Sequence, residues 1–100
     1  LIILVDYNKW QATGKTKDIL NLGNLKKKFQ SFGFNSKEID GHNFNQIIRS
    51  LKNNNSKKPT AIIAHTIKGK GVSFMENNNN WHYRSPSEKE YYDSINEIDN

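Results

Sequence analysis

A chain of 100 residues and 11.6 kDa makes at most one small domain, which excludes a large two-domain enzyme. Fifteen Lys and Arg against ten Asp and Glu give a formal charge of +5 and a pI near 9.5, favouring contact with phosphates or other anions. The lack of cysteine excludes disulfides and thiolate chemistry and fits a reducing, cytoplasmic setting, and at a mean hydropathy of −0.87 no apolar run approaches the ~20 residues of a membrane span.

Leu1 to Val5 is an unbroken apolar run, the pattern of a strand covered on both faces, as in parallel sheets. A buried strand at the first residue, with Met75 the only methionine, gives the expectation of a fragment whose preceding chain is missing; the alternative is an edge strand in a processed domain. Leu22, Leu25, Phe29 and Phe32 stand at helical spacing with Gly33 as the stop. Phe34 to Ile39 reads as a weak strand closed by the turn Asp40-Gly41. Phe44, Ile47, Ile48 and Leu51 give a second amphipathic helix, followed by a polar linker from Asn53 to Lys58. Pro59 breaks the chain before a buried strand, Thr60 to Thr66. Residues 68 to 85 form a long polar loop with an asparagine tract at Asn77 to Asn80. Pro86-Ser87-Glu88 opens a last helix, with Tyr91 or Tyr92, Ile95 and Ile98 as its packed face. The fold class is α/β: a parallel three-stranded βαβαβ unit plus a C-terminal helix, with ligands expected at the carboxyl ends of the strands.

Two of those ends carry residues suited to chemistry. After the first strand, the Asn8 amide oxygen can ligate a hard cation such as Mg²⁺ with a backbone carbonyl of the same loop, or Asn8 can simply form the turn. Gly14-Lys15-Thr16 looks like the end of a P-loop, but Lys9 stands where that motif needs a glycine. After the third strand, Lys68-Gly69-Lys70-Gly71 offers close backbone approach and positive charge to a diphosphate, or is a flexible basic turn. Trp81-His82-Tyr83 sets an imidazole between two aromatic rings, either for proton transfer and hydroxyl binding or for packing. His42 reads as a surface residue after a tight turn, and His65 stays open between the two roles.

Together these residues resemble the transketolase family, in the later part of its N-terminal, thiamine diphosphate-binding domain. The likeness is collinear over nearly the whole chain. It rests on Val5-Asp6-Tyr7-Asn8-Lys9 with Gln11-Ala12-Thr13-Gly14, on Phe32-Gly33-Phe34 leading to Ile39-Asp40-Gly41-His42, and on Lys58-Pro59-Thr60 through Ala64. It continues through Lys68-Gly69-Lys70-Gly71-Val72-Ser73-Phe74-Met75-Glu76 and Trp81-His82 before Ser85-Pro86-Ser87. The spelling is similar to split enzymes, in which this domain is encoded apart from the half carrying the pyrimidine-binding and C-terminal domains.

The resemblance implies a fragment of the parallel-sheet thiamine diphosphate-binding fold and a part of an enzyme of carbohydrate metabolism, such as the pentose phosphate pathway. That enzyme moves a two-carbon ketol unit from a ketose phosphate to an aldose phosphate. It implies Asn8 as a side-chain ligand and Trp10 as a backbone-carbonyl ligand of Mg²⁺ (or Ca²⁺ or Mn²⁺), Lys68 against the cofactor, and His82 as a cofactor-binding and catalytic residue near the substrate hydroxyls. Tyr83 departs from the glycine the family places after that histidine. The implied partners are sugar phosphates and the C-terminal half of the enzyme, in a complete enzyme that dimerises, with neither membrane nor nucleic acid. No Gly-Asp-Gly occurs in residues 1–100, so its aspartate ligand is expected upstream and this piece is expected to be inactive alone and to bind thiamine diphosphate poorly. The rival readings are a basic module binding phosphate or nucleic acid, whose lysines here are scattered, and an inactive remnant of the same family.

Overall fold

The computed structural model describes residues 1–52 and 57–99. In chain order its elements are β1 (Ile2–Tyr7), β2 (Trp10–Gln11), β3 (Gly14–Lys15), α1 (Thr16–Ile19), α2 (Leu25–Ser31), β4 (Asn35–Asp40), α3 (Phe44–Lys52) and β5 (Thr60–His65). A 3₁₀ turn (Asn79–His82) and α4 (Glu88–Ile98) follow. The chain has the expected α/β class: β1, β4 and β5 form one sheet in the order β1-β5-β4, both pairs parallel, while β2 and β3 make a separate two-residue hairpin.

β5 sits between the other two strands, and Ala61, Ile62, Ile63 and Ala64 are buried in succession. A run without alternation is what burial on both faces requires. The chain moves outward from β1 to β4 and back to β5, so connections of the usual right hand put α2 and α3 on opposite faces of this central strand. β1, which by its apolar run should be the doubly covered strand, pairs only with β5 among the described residues and alternates in exposure, with Ile2 and Leu4 outward.

The helices are shorter than their apolar spacing suggests, for local reasons. Gly23 takes a φ of 58° and the Asn24 side chain accepts from Lys27 N–H at 2.9 Å, so α2 starts after Leu22. It ends in a Schellman closure: Gly33 (φ 85°) donates to the Gln30 carbonyl, Phe34 donates to that of Phe29, and the Phe29 and Phe34 rings meet edge to face at 5.4 Å. Phe32 is thereby left at 80% exposure rather than on the packed face. In α4 the expected face is also outward. Tyr91, Tyr92, Ile95 and Ile98 are exposed, and Ser94 is the buried residue. Polar groups dock this helix, through a Ser87/Glu90 capping box and through Glu97, whose carboxylate accepts from Ser73 N–H (2.5 Å) and Oγ (2.8 Å). The polar linker read at Asn53 to Lys58 falls mainly on residues 53–56, outside the described residues. Among the described residues no helix is long and apolar enough to cross a membrane.

The turn after β4 is fixed by contact with β5. Gly41 N–H donates to the His65 carbonyl at 2.8 Å, and a Cβ at Gly41 would lie 2.4 Å from Thr66 Cγ2 and 3.0 Å from that same carbonyl oxygen. Thr66 cannot swing aside freely, because its hydroxyl donates to Asp6 Oδ1 on β1. Gly41→Ala should therefore destabilise the fold by about 1–3 kcal/mol through overpacking, read as a lower urea midpoint with an unchanged m-value; an unchanged midpoint would refute the close approach.

Candidate functional site

Tyr7, His65 and Asp40 occupy one row across the sheet and are the last residues of their strands. Because the strands are parallel and end level, Asn8, Thr66 and Gly41 emerge side by side on the carboxyl edge, where α/β sheets hold their ligands. Asn8, Thr66 and Ile67 separate two hollows there. One, about 690 Å³, is lined also by Tyr7, Lys9, Trp10, Lys15, Lys17 and Asn77. The other, about 470 Å³, is lined also by Asp6, His42, Lys68, Gly69 and Lys70.

Asn8 both makes the turn and presents an oxygen. Its Oδ1 accepts from Trp10 N–H at 2.9 Å, which closes the turn around Lys9, a residue held at a φ of 70°. An amide oxygen has two lone pairs, so one remains for a ligand. The Lys9 carbonyl accepts from Thr16 N–H at 2.9 Å, and the alternation of an antiparallel ladder then turns the Trp10 carbonyl away from the hairpin. Gly14 and Lys15 form β3, with Lys15 Nζ 5.7 Å from the centre of the Trp10 ring, and Thr16 is buried at the start of α1, where it also lines the larger hollow.

The glycine-rich stretch is a closed loop rather than a flexible turn. Asn77 N–H donates to the Lys68 carbonyl at 2.9 Å, and a Cβ at Gly69 (φ 74°) would lie 2.5 Å from Met75 O. Glu76 staples the interior, accepting from Gly71 N–H at 3.3 Å and ion-pairing with Lys70 at 3.3 Å. The Gly71 N–H first and Lys70 second hold the Glu76 carboxyl below the usual carboxylate value. The asparagine tract completes the loop: Asn78 Oδ1 accepts from Asn80 N–H at 3.1 Å, and Asn79 Nδ2 donates to the Ala12 carbonyl at 2.9 Å, tying the 3₁₀ turn to the tip of the β2-β3 hairpin.

His82 is exposed on that 3₁₀ turn and lines neither hollow beside Asn8. It does not sit between two rings. Successive side chains of a 3₁₀ turn point about 120° apart, so the His82 ring meets Tyr83 at 4.7 Å while Trp81 turns to Phe74 at 5.4 Å. Trp81 Nε1 donates to the Phe74 carbonyl at 3.2 Å, the Arg84 guanidinium lies 3.8 Å over its ring, and Glu90 pairs with Arg84. Of the remaining histidines, His65 is taken by Glu38 at 3.1 Å and by the edge of Tyr7. His42 is not merely a surface residue: its Nε2 accepts from Ile67 N–H at 2.8 Å.

The family model described as "Transketolase, thiamine diphosphate binding domain" matches residues 1–95. The chain belongs to the transketolase family. It is 33% identical over 100 residues to one of the subunits of the apulose-4-phosphate transketolase of Phocaeicola vulgatus, covering 98% of this chain and 36% of that one. It is 42% identical over 78 residues to a 6-deoxy-6-sulfo-D-fructose transketolase subunit of a Clostridium species, covering 76% of this chain and 28% of that one. The crystal structure of transketolase from Campylobacter jejuni superposes with a TM-score of 0.90 at 27% identity, over 99% of this chain and 16% of that chain. The chain thus spans about a third of the length of the Phocaeicola vulgatus relative.

In this transketolase-family domain the fold brings Asn8 together with Trp10 on one side and with Lys68 on the other, and it leaves His82 apart on the 3₁₀ turn. Sequence reasoning named Glu76, Asn77, Asn79 and His42 but gave none of them its role. A carboxylate five residues after a glycine and an asparagine tract ending a loop are signals only once the loop is known to close. Because the Glu76 value is lowered in the fold, its contribution is complete above the ordinary value of 4.5 and is lost as pH falls through the folded value. The protection factor of the Gly71 amide, its exchange rate taken against the intrinsic rate at each pH, should therefore fall in acid in the wild type and be low at every pH in Glu76→Ala, which removes the acceptor; equal, pH-independent protection in both would refute the staple.

Proposed function

We propose that this chain is the later part of the diphosphate-binding domain of a transketolase, transferring a two-carbon ketol unit from a ketose phosphate to an aldose phosphate. Thiamine diphosphate would supply the carbanion stabilisation the transfer needs, leaving the protein to bind, orient and protonate. The observation that carries this reading is the meeting of Asn8 and Lys68 in one hollow at the carboxyl edge of a parallel sheet.

The residues present fit the cofactor and its metal. Asn8 Oδ1 retains a lone pair and the Trp10 carbonyl faces away from its ladder, two hard neutral oxygens from one turn. Mg²⁺ takes few protein ligands and keeps phosphate oxygens and water, and the same oxygens suit Ca²⁺ or Mn²⁺. Lys68 would offset diphosphate charge, on a loop whose own closure Gly69 and Gly71 make possible. His82, on a turn anchored by Asn79 and Trp81, would orient substrate hydroxyls and carry a proton. Tyr83, at 72% exposure beside it, would narrow the approach. Relatives are named as single subunits of a transketolase, which supports a partner subunit. In this reading the partner half would bear the pyrimidine-binding domain, and the complete enzyme would be a cytoplasmic dimer.

In the complete polypeptide assembled with its partner half, Asn8→Ala should weaken Mg²⁺-dependent thiamine diphosphate binding by about 10–100-fold or more, since even outer-shell losses at metal sites cost that much. Trp10→Leu should bind as the wild type, because only its carbonyl is used. Calorimetry checks both, and an Asn8→Ala protein of wild-type affinity would sink the assignment. His82→Ala should lower kcat by about 10²-fold or more in a steady-state ketol-transfer assay; an unchanged kcat would remove His82 from the reaction.

A further inference from the structure

The hydrogen bond from Ile67 to His42 links two strand ends. Asp40 Oδ1 accepts from His42 N–H at 2.9 Å and Gly41 N–H donates to the His65 carbonyl at 2.8 Å, so the backbone of the β4-α3 turn is fixed before the imidazole is considered. From that base His42 reaches across to the exit of β5, where its Nε2 accepts from Ile67 N–H at 2.8 Å. An accepting Nε2 puts the proton of the neutral ring on Nδ1. The Ile67 carbonyl in turn accepts from Lys70 N–H at 3.2 Å, and the Lys68 carbonyl accepts from Asn77 N–H at 2.9 Å. Three successive peptides, Thr66–Ile67, Ile67–Lys68 and Lys68–Gly69, are thus each held once, and the contact on the strand side comes from a side chain.

We propose that His42 is a positioning residue for the cofactor diphosphate: by holding the Ile67 N–H it fixes the Thr66–Ile67 peptide at the exit of β5, from which the chain runs on to Lys68, and it acts through that lysine. This rests on the reading of the Asn8 and Lys68 hollow given above. The role needs an acceptor at the position of Nε2 and does not need an aromatic ring. A residue that only filled space would have the opposite requirement.

Three variants separate these roles in the complete protein with Mg²⁺. Thiamine diphosphate is titrated by calorimetry, with thiamine lacking the diphosphate run in parallel, and exchange of the Ile67 amide is followed alongside. His42→Ala and His42→Phe, which lack the acceptor, should each weaken thiamine diphosphate binding by about tenfold, leave thiamine binding unmoved and lose protection at Ile67. His42→Gln, whose Oε1 can stand near Nε2, should restore both binding and protection. If His42→Ala does not fold, the Phe and Gln pair decides. Binding restored by Phe and not by Gln, or wild-type binding in both Ala and Phe, would overturn the role of His42 alone. A wild-type protein that binds thiamine and thiamine diphosphate equally would overturn the reading of the hollow and this proposal with it.

Discussion

The level ending of three parallel strands around β5 is the constraint on which the rest depends. Tyr7, His65 and Asp40 share one row, so three separate loops start from one line of backbone. Shifting any strand by one residue would exchange its faces and move its loop by about 3.3 Å. The buried run Ala61 to Ala64 resists that shift, since a slip would break the packing on both faces of the central strand. The core of the sheet is therefore also the gauge that sets Asn8 beside Thr66 and Ile67.

Around that line the chain holds its loops with side chains that substitute for backbone. Asn8 closes its own turn, His42 takes an amide from the neighbouring loop, Glu76 staples the glycine loop, and Asn79 reaches the hairpin tip. Each satisfies a polar group where no ladder could, as loops at a sheet edge must. The glycines at positions 41 and 69 let the backbone segments approach closely enough for these bonds to form. The result is a rim whose loops are tied to one another, which suits a site that must hold a charged group in one orientation.

Much of the architecture was legible because it is written in local patterns. The glycine after Phe32 and the run from Ala61 to Ala64 determine a helix end and a central strand by conformational preference and burial alone. The candidates Asn8 and Lys68 were legible as residues at strand ends, and Trp10 as a candidate ligand came only from the resemblance to transketolases. What the structure corrects is local. Phe32 stands at helical spacing, but the Schellman closure at Gly33 turns it away from the packed face, and periodicity cannot report that. The ring on either side of His82 was inferred from adjacency along the chain, whereas the 3₁₀ turn sends neighbouring side chains apart. His42 was invisible because its partner lies 25 residues away and is a backbone amide, which carries no residue identity.

The proposed metal and diphosphate site lies on the carboxyl edge of the sheet, with the Asn8 turn as this chain's contribution to it. The most direct measurement is a crystal structure of the complete polypeptide grown with Mg²⁺ and thiamine diphosphate. The expected result has Asn8 Oδ1 and the Trp10 carbonyl in the inner shell of the metal and Lys68 facing the diphosphate. A metal bound elsewhere, with Asn8 Oδ1 bonded to Trp10 N–H alone, would contradict it.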